Sequence, residues 1–147
     1  MESKEFVKNL LVLLPYWHYT IDKPFKQSLA GKMTLESYYC LQTLRQDGAL
    51  TMSELAQRLK ISRQQATQTV NRLCECAFIR RLYDNSDRRC IKVEITAQAE
   101  KYIDQVYYQD TAFLDNLQRC MDKEDLQELA QAIETLLRIL PRLKSEN

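Results

Sequence analysis

The sequence predicts a mainly α-helical chain with one small antiparallel β-hairpin, an α+β arrangement, and three observations carry that expectation. Apolar residues recur at three- and four-residue spacing through most of the chain. Two helix-start signatures follow each other closely at Thr51 and Ser62. Only the stretch from Phe78 to Ile95 switches to strand alternation. At 147 residues, with 45% hydrophobic and 28% charged residues, the chain has the length and composition of one globular domain with a sizeable core, or of one small core plus an assembly surface. Only two glycines occur, Gly31 and Gly48, so no Gly-rich loop exists to cradle a phosphate, and P-loop and dinucleotide-binding chemistry are excluded.

From Phe6 to about Ala30 the helical positions Phe6, Leu10, Leu13 and Trp17 predict one bent helix or two short ones, since Pro15 and Pro24 interrupt the ladder. Thr34 caps a second helix whose buried face is Leu35, Tyr38 or Tyr39, and Leu41 to Leu44, and Gly48 supplies its left-handed stop. The capping box Thr51-Met52-Ser53-Glu54 opens a helix over Met52 to Leu59. A second box, Ser62-Arg63-Gln64-Gln65, opens another over Arg63 to Cys76, with Ala66, Val70, Leu73 and Ala77 inward. Phe78 to Tyr83 and Cys90 to Ile95 read as strands, the second setting Ile91, Val93 and Ile95 against Lys92 and Glu94, and Asp84-Asn85-Ser86-Asp87 is turn chemistry between them. Thr96 to about Arg119 reads as one long helix burying Tyr102, Val106, Phe113 and Leu117. The last helix starts at Asp122-Lys123-Glu124-Asp125, and its positions Leu126, Leu129, Ile133, Leu136, Leu140 and Leu143 have the spacing of a coiled-coil seam.

Two short helices joined by a tight turn and followed by a hairpin are the order of a winged helix-turn-helix, whose second helix enters the major groove of DNA. At about 100° per residue, Gln64, Gln68 and Asn71 point away from the inward face, flanked by Thr67 and Arg72. Gln and Asn pair with adenine N6/N7, Thr meets a thymine methyl, and Arg takes guanine or phosphate. Ser62 and the free N–H groups at this helix start suit a phosphate. An ordinary solvated face is the plainer reading, and the flanking charge weighs against it.

The formal net charge of +1 hides a strong segregation. From Arg58 to Lys92 nine Lys/Arg (Arg58, Lys60, Arg63, Arg72, Arg80, Arg81, Arg88, Arg89, Lys92) stand against three acids (Glu75, Asp84, Asp87), a net of +6. Residues 1–57 hold six of each sign, and residues 93–147 hold six basic against eleven acidic, a net of −5. A basic centre with an acidic tail suits groove binding on one face and self-association on another.

These residues resemble the MarR family (multiple antibiotic resistance regulators): Leu55-Ala56 to Leu59, Ile61-Ser62, Arg72-Leu73, Phe78-Ile79, Arg81, the wing Asp84-Asn85-Ser86-Asp87-Arg88-Arg89, and Ile95-Thr96. The resemblance runs in motif from about Leu35 to Thr96 and in helix order over the whole chain. It implies a homodimer with interleaved terminal helices on a pseudo-palindromic operator, usually as a repressor. Gln64, Thr67, Gln68 and Arg72 then match groove-facing positions, and Arg88 and Arg89 match wing residues that enter the minor groove or brace the wing. Ion pairing of these arginines with Asp84 and Asp87 is the local alternative. The family usually has Gly where this chain has Cys76-Ala77, and again at Ala99, so Ala77 is expected to be strained, because Ala tolerates positive φ poorly.

The resemblance also implies an effector or an oxidant that lowers DNA affinity. Tyr16-Trp17-His18-Tyr19 and Tyr38-Tyr39 suit a small aromatic or phenolic ligand, and a plain role in core and interface is the competing reading. Cys40 beside the tyrosines is a candidate redox thiol, against the simpler reading of inert buried thiols. One histidine and dispersed thiols make no metal set, and Cys74 and Cys76, two apart on a helix, do not share a face. The five cysteines form an odd set without a CxxC pair, and Leu10 to Leu14 stops at Pro15, too short for a signal core or a membrane span; a cytoplasmic protein with reduced thiols is expected.

The expectation is a single MarR-like domain over 1–147, with a winged helix-turn-helix DNA-binding lobe at 34–96 and a helical dimerisation region at 1–30 and 97–147. An intertwined dimer would use Phe6, Leu10, Leu129, Ile133, Leu136 and Leu140, and the seam's rival reading is intramolecular core. The DNA contacts expected are Ser62, Arg63, Gln64, Thr67, Gln68, Asn71, Arg72, Arg88 and Arg89. The expected function is a sequence-specific DNA-binding transcriptional regulator with no cofactor or metal. Its rivals are a winged-helix protein-interaction module and a cysteine-based redox regulator. Nothing in the chain assembles an enzyme's nucleophile or paired catalytic carboxylates.

Overall fold

The computed structural model describes residues 2–109 and 111–143, with the side chains of 107–109 and 111 outside that description. The chain divides into two compact units, residues 1–109 and 110–147.

In the first unit, α1 (Ser3–Trp17) contains Pro15, and a five-residue π-turn, His18–Asp22, leads into α2 (Lys23–Leu29). The helical path therefore continues without a break past Pro15 and Pro24 to Leu29. Pro15 offers no backbone N–H, and the chain widens by one residue per turn directly after it. Only Leu29 of this stretch is buried.

Helix α3 (Leu35–Asp47) begins where Thr34 Oγ1 accepts from the Ser37 N–H at 3.1 Å, and it stops at Gly48, whose φ of 79° suits glycine. Helix α4 (Met52–Leu59) carries a complete capping box. The Glu54 N–H donates to Thr51 Oγ1 and the Thr51 N–H to Glu54 Oε1, both at 3.1 Å. These bonds favour the ionised Glu54 carboxylate and hold its pKa below the usual value. Lys60, left-handed at φ 56°, turns the chain into α5 (Arg63–Glu75), whose box pairs Ser62 with Gln65, again at 3.1 Å.

Strands β1 (Ile79–Tyr83) and β2 (Cys90–Ile95) form an antiparallel hairpin pairing Ile79 with Ile95 and Arg81 with Val93. A third segment joins at one point, where Leu50 and Val93 exchange backbone hydrogen bonds of 2.8 and 3.0 Å. The register shifts between Leu82, opposite Lys92, and Tyr83, opposite Cys90, so Ile91 has no direct partner. That irregularity corrects the expected alternation: Val93 is buried but Ile91 is 47% exposed.

The core joins α3 (Cys40, Leu41, Leu44), Leu50, α4 (Leu55), α5 (Val70, Leu73) and the hairpin (Ile79, Val93) to Ala99 and Ile103 of α6 (Ala97–Gln109). Two expectations change here. Ala77 lies beyond the end of α5 and is exposed, while Thr69 is a buried polar member of the inner face. On α6 the fully buried positions are Ala99 and Ile103, with Tyr102 and Val106 only half-buried. Arg45 reaches from α3 to Asp104 at 2.9 Å.

The second unit holds α7 (Thr111–Arg119) and α8 (Lys123–Ile139), followed by a 3-10 turn, Leu140–Arg142. The expected single helix from Thr96 to Arg119 is thus described as α6 and α7, and position 110 lies outside the described residues. Phe113 and Leu117 are half-buried. Asp122 caps α8 by accepting from the Asp125 N–H at 2.8 Å. The seam residues Leu126, Leu129, Ile133 and Leu136 lie on this helix, and Leu140 begins the turn at Pro141. The part of the 97–147 region beyond residue 143 lies outside the described residues.

Candidate nucleic-acid interface

Helix α5 is held from behind and open in front. Ala66, Thr69, Val70 and Leu73 are buried, while Ser62, Arg63, Gln64, Gln65, Thr67, Gln68, Asn71 and Arg72 are exposed. The hydrogen bonds decide which of these groups still have capacity for a ligand. Gln65 is committed to the capping box, and Ser62 has used its oxygen there but keeps its hydroxyl proton. With the Ser62 and Gln65 N–H groups taken, those of Arg63 and Gln64 remain at the positive end of the helix. The Thr67 hydroxyl donates to the Arg63 carbonyl at 2.8 Å, leaving its methyl and lone pairs outward. The Asn71 carbonyl oxygen accepts from Arg81 of β1. Arg72 leans on Thr69 Oγ1 at 3.5 Å, a weak contact. Gln64 and Gln68 keep donor and acceptor outward, with no side-chain hydrogen bond among the described residues.

The basic segment partitions in the same way. Arg58 is paired with Asp47 at 2.6 Å, Arg80 with Glu94 across the hairpin at 2.5 Å, and Arg89 with Asp87 at 3.0 Å. Lys60, Arg63, Arg72, Arg88 and Lys92 have no ion pair among the described residues. This leaves a positive surface around the exposed face of α5 and along the wing.

At the wing tip the Asp84 carboxylate accepts from Ser86 N at 2.8 Å and Ser86 Oγ at 2.7 Å, which holds its pKa below the usual carboxylate range. The Asp84 carboxylate is therefore held by Ser86, not by an arginine side chain. Asp87 takes both the Arg89 backbone N–H and its guanidinium at 3.0 Å. Arg88 sits at φ 59°, its backbone N–H donating to the Asp84 carbonyl at 3.0 Å. Arg89 is thus tied to Asp87, and the Arg88 side chain has no ion pair among the described residues.

At the base of the wing Ala77 adopts φ 61°, the positive value expected where glycine is missing. The sequence reading missed what holds it. The Thr96 hydroxyl donates to the Ala77 carbonyl at 2.7 Å and accepts from the Ala99 N–H at 3.2 Å, joining the end of α5 to the start of α6.

The expected effector residues are spread along the first unit. Tyr16 and Tyr19 are 69% and 66% exposed and Trp17 is 42% exposed. His18 faces Asp22 at 3.4 Å and stands edge-on to Tyr19. Tyr38 packs edge-on against Phe25, with ring centres 4.9 Å apart. Partial burial and then the Asp22 charge raise the Tyr39 pKa. A shallow apolar depression of about 240 Å³ is lined by Leu35, Glu36, Tyr39, Leu59 and Ile61, and so takes in only Tyr39 of the expected group. Cys40 has no exposed surface, and burial, followed by the charges of Glu36 and Cys74, pushes its thiol up to about 12. That environment opposes the thiolate an oxidation switch needs. Among the described residues no cluster of three or more His, Cys, Asp or Glu could hold a metal, and no helix is long and apolar enough to cross a membrane.

Residues 33–91 match the family model described as MarR family. A curated Bacillus subtilis (strain 168) protein, described as the uncharacterized HTH-type transcriptional regulator YfiV, is 25% identical over 114 residues, covering 78% of this chain and 71% of that protein. A MarR family protein from Bacillus stearothermophilus has a similar structure, with a TM-score of 0.76 and 19% identity over 97% of this chain and 100% of its own. A mutant MarR from E. coli in complex with operator DNA matches with a TM-score of 0.62 and 17% identity, covering 93% of this chain and 99% of that chain.

Proposed function

We propose that this chain belongs to the MarR family, whose model matches residues 33–91, and is a transcriptional regulator that binds a pseudo-palindromic operator as a homodimer and acts as a repressor. The observation that carries the reading is the exposed face of α5, where Gln64 and Gln68 have unspent hydrogen-bonding groups and Arg63 and Arg72 stand without ion pairs among the described residues. In this reading α5 lies in the major groove, Ser62 with the free N–H groups of the helix start takes a phosphate, and Arg88 enters the minor groove. The related E. coli MarR is known with operator DNA, which supports DNA as the partner. The apolar faces of α1 and α8 support self-association. Tyr39 and its depression support a small aromatic or phenolic effector that releases the DNA.

Retardation of the promoter fragment upstream of the protein's own gene tests the reading, with an unrelated fragment as competitor. Specific retention at about 0.15 M salt is expected. Retention that the unrelated fragment abolishes equally would leave a basic protein without sequence reading and favour the protein-interaction module. The wing contact has its own measure: Arg88→Ala flattens the slope of log affinity against log salt by about one unit, and Arg89→Ala, already paired with Asp87, changes it less. Equal slopes for Arg88→Ala and the unsubstituted protein would remove Arg88 from the interface.

A further inference from the structure

Asn71 and Arg81 belong to different elements, and their contact changes what the groove-facing side of α5 can read. Asn71 follows Gln64 by two turns and Gln68 by one, so the three amides share a face. Free, such an amide presents a donor and an acceptor side by side, the pattern that matches the N7 and N6 of adenine. Asn71 is not free. On β1, Ile79 and Arg81 face inward toward α5, while Arg80 points to the other side and pairs with Glu94. The Arg81 guanidinium reaches across to Asn71. A guanidinium has five N–H donors and no acceptor, so the amide atom that meets it is the carbonyl oxygen, and the NH₂ group is turned outward. The second lone pair of that oxygen lies beside a positive charge, which repels an approaching N–H donor such as the adenine N6 amino group.

We propose that Arg81 is a specificity-determining positioning residue that makes Asn71 a donor-only reader, so that this position of α5 selects guanine, whose N7 and O6 both accept, over adenine, whose N7 acceptor stands beside the N6 donor. The inference rests on the regulator reading above. Arg81 acts through Asn71, so its substitution changes which base is chosen more than how tightly DNA is held.

Selection from a pool of randomised duplexes tests it. The base pair read by Asn71 is the one whose preference relaxes in Asn71→Ala. In the unsubstituted protein that pair is G·C. Arg81→Leu frees the oxygen and shifts the choice at that pair toward adenine by about tenfold, while Arg80→Leu leaves it unchanged. Asn71→Asp decides the matter independently if Arg81→Leu shows no cooperative melting. It keeps an oxygen for Arg81 but replaces the outward NH₂ with an acceptor, so the preferred pair turns to A·T or reverses to C·G. The inference is overturned if no pair relaxes in Asn71→Ala, if the unsubstituted protein prefers A·T there, or if the choice survives Arg81→Leu or Asn71→Asp. A pool from which no duplex is enriched overturns the regulator reading as well, which separates the two failures.

Discussion

The α3–α5 lobe and the two apolar helices α1 and α8 are built from the same residue types and end in opposite states. Cys40, Leu41 and Leu55 have no exposed surface, whereas Leu10 and Leu13 of α1 are each 45% exposed and Leu136 of α8 is 37% exposed. Neither α1 nor α8 contains a buried residue. The lobe satisfies its apolar residues and its helix starts within one chain. The apolar stripes of α1 and α8 keep exposed surface, which the proposed self-association would bury.

The largest effect falls in the lobe. Leu41→Ala removes a side chain with no exposed surface and lowers unfolding stability by about 2–5 kcal/mol, read from the denaturant midpoint at any protein concentration. Leu11→Ala, at a site 59% exposed, shifts the midpoint far less when the protein is dilute. Equal losses would show that the two regions do not differ in kind. Next comes the pair Ile133→Asp and Leu136→Asp on α8. Charges on that stripe are expected to cost about 3 kcal/mol of association, roughly a hundredfold or more in Kd, and to give a monomeric mass by sedimentation. A mass unchanged by both substitutions would assign the stripe to the intramolecular core.

The third test uses pH. The Cys40 thiol is raised from 9.0 to about 12, so between those values the folded state binds a proton that the unfolded state has released. Its contribution to stability is complete below pH 9 and falls as pH rises, by at most about 1.4 kcal/mol per unit, until it is lost above 12. Cys40→Ala should flatten that alkaline slope, at some cost in packing. Thiol reagents at about pH 8, below the ordinary thiol range, should label the exposed Cys76, Cys90 and Cys120 and leave Cys40 unmodified in the folded chain. Rapid labelling of Cys40 would mean that the lobe opens far more readily than its burial implies.

What could be read in the sequence was what is decided locally. The starts of α4 and α5 fall where Thr51 and Ser62 put them, because a capping box is complete within four residues. The amide face of α5 follows from helical spacing alone. Ile91 illustrates the opposite case, since its alternation with Val93 is undone by a register shift that depends on the partner strand. The π-turn after Pro15, the burial of Thr69 and the Thr96 bridge all depend on packing between elements. The most consequential omission is Arg81. In the sequence it is one charge of the basic segment and one residue of the family resemblance, whereas in the structure it meets Asn71, and neither residue implies the other by spacing.

The smallest effect probes the hinge between α5 and the wing. Ala77 sits at φ 61°, a conformation that costs an L-residue with a Cβ about 1–2 kcal/mol and glycine almost nothing. It is kept there by its own N–H, which bonds the Cys74 carbonyl at 3.0 Å, and by the Thr96 hydroxyl on its carbonyl at 2.7 Å. Ala77→Gly relieves the strain but leaves the unfolded chain more freedom to lose, so a net stabilisation of about 1 kcal/mol is expected as a rise in the denaturant midpoint. Thr96→Val removes the bridge and should lower the midpoint by about 1 kcal/mol, and less once Ala77 is glycine. Strict additivity of the two substitutions would mean that Thr96 does not hold the strained turn, and the α5 side of the lobe would then be secured by its core alone.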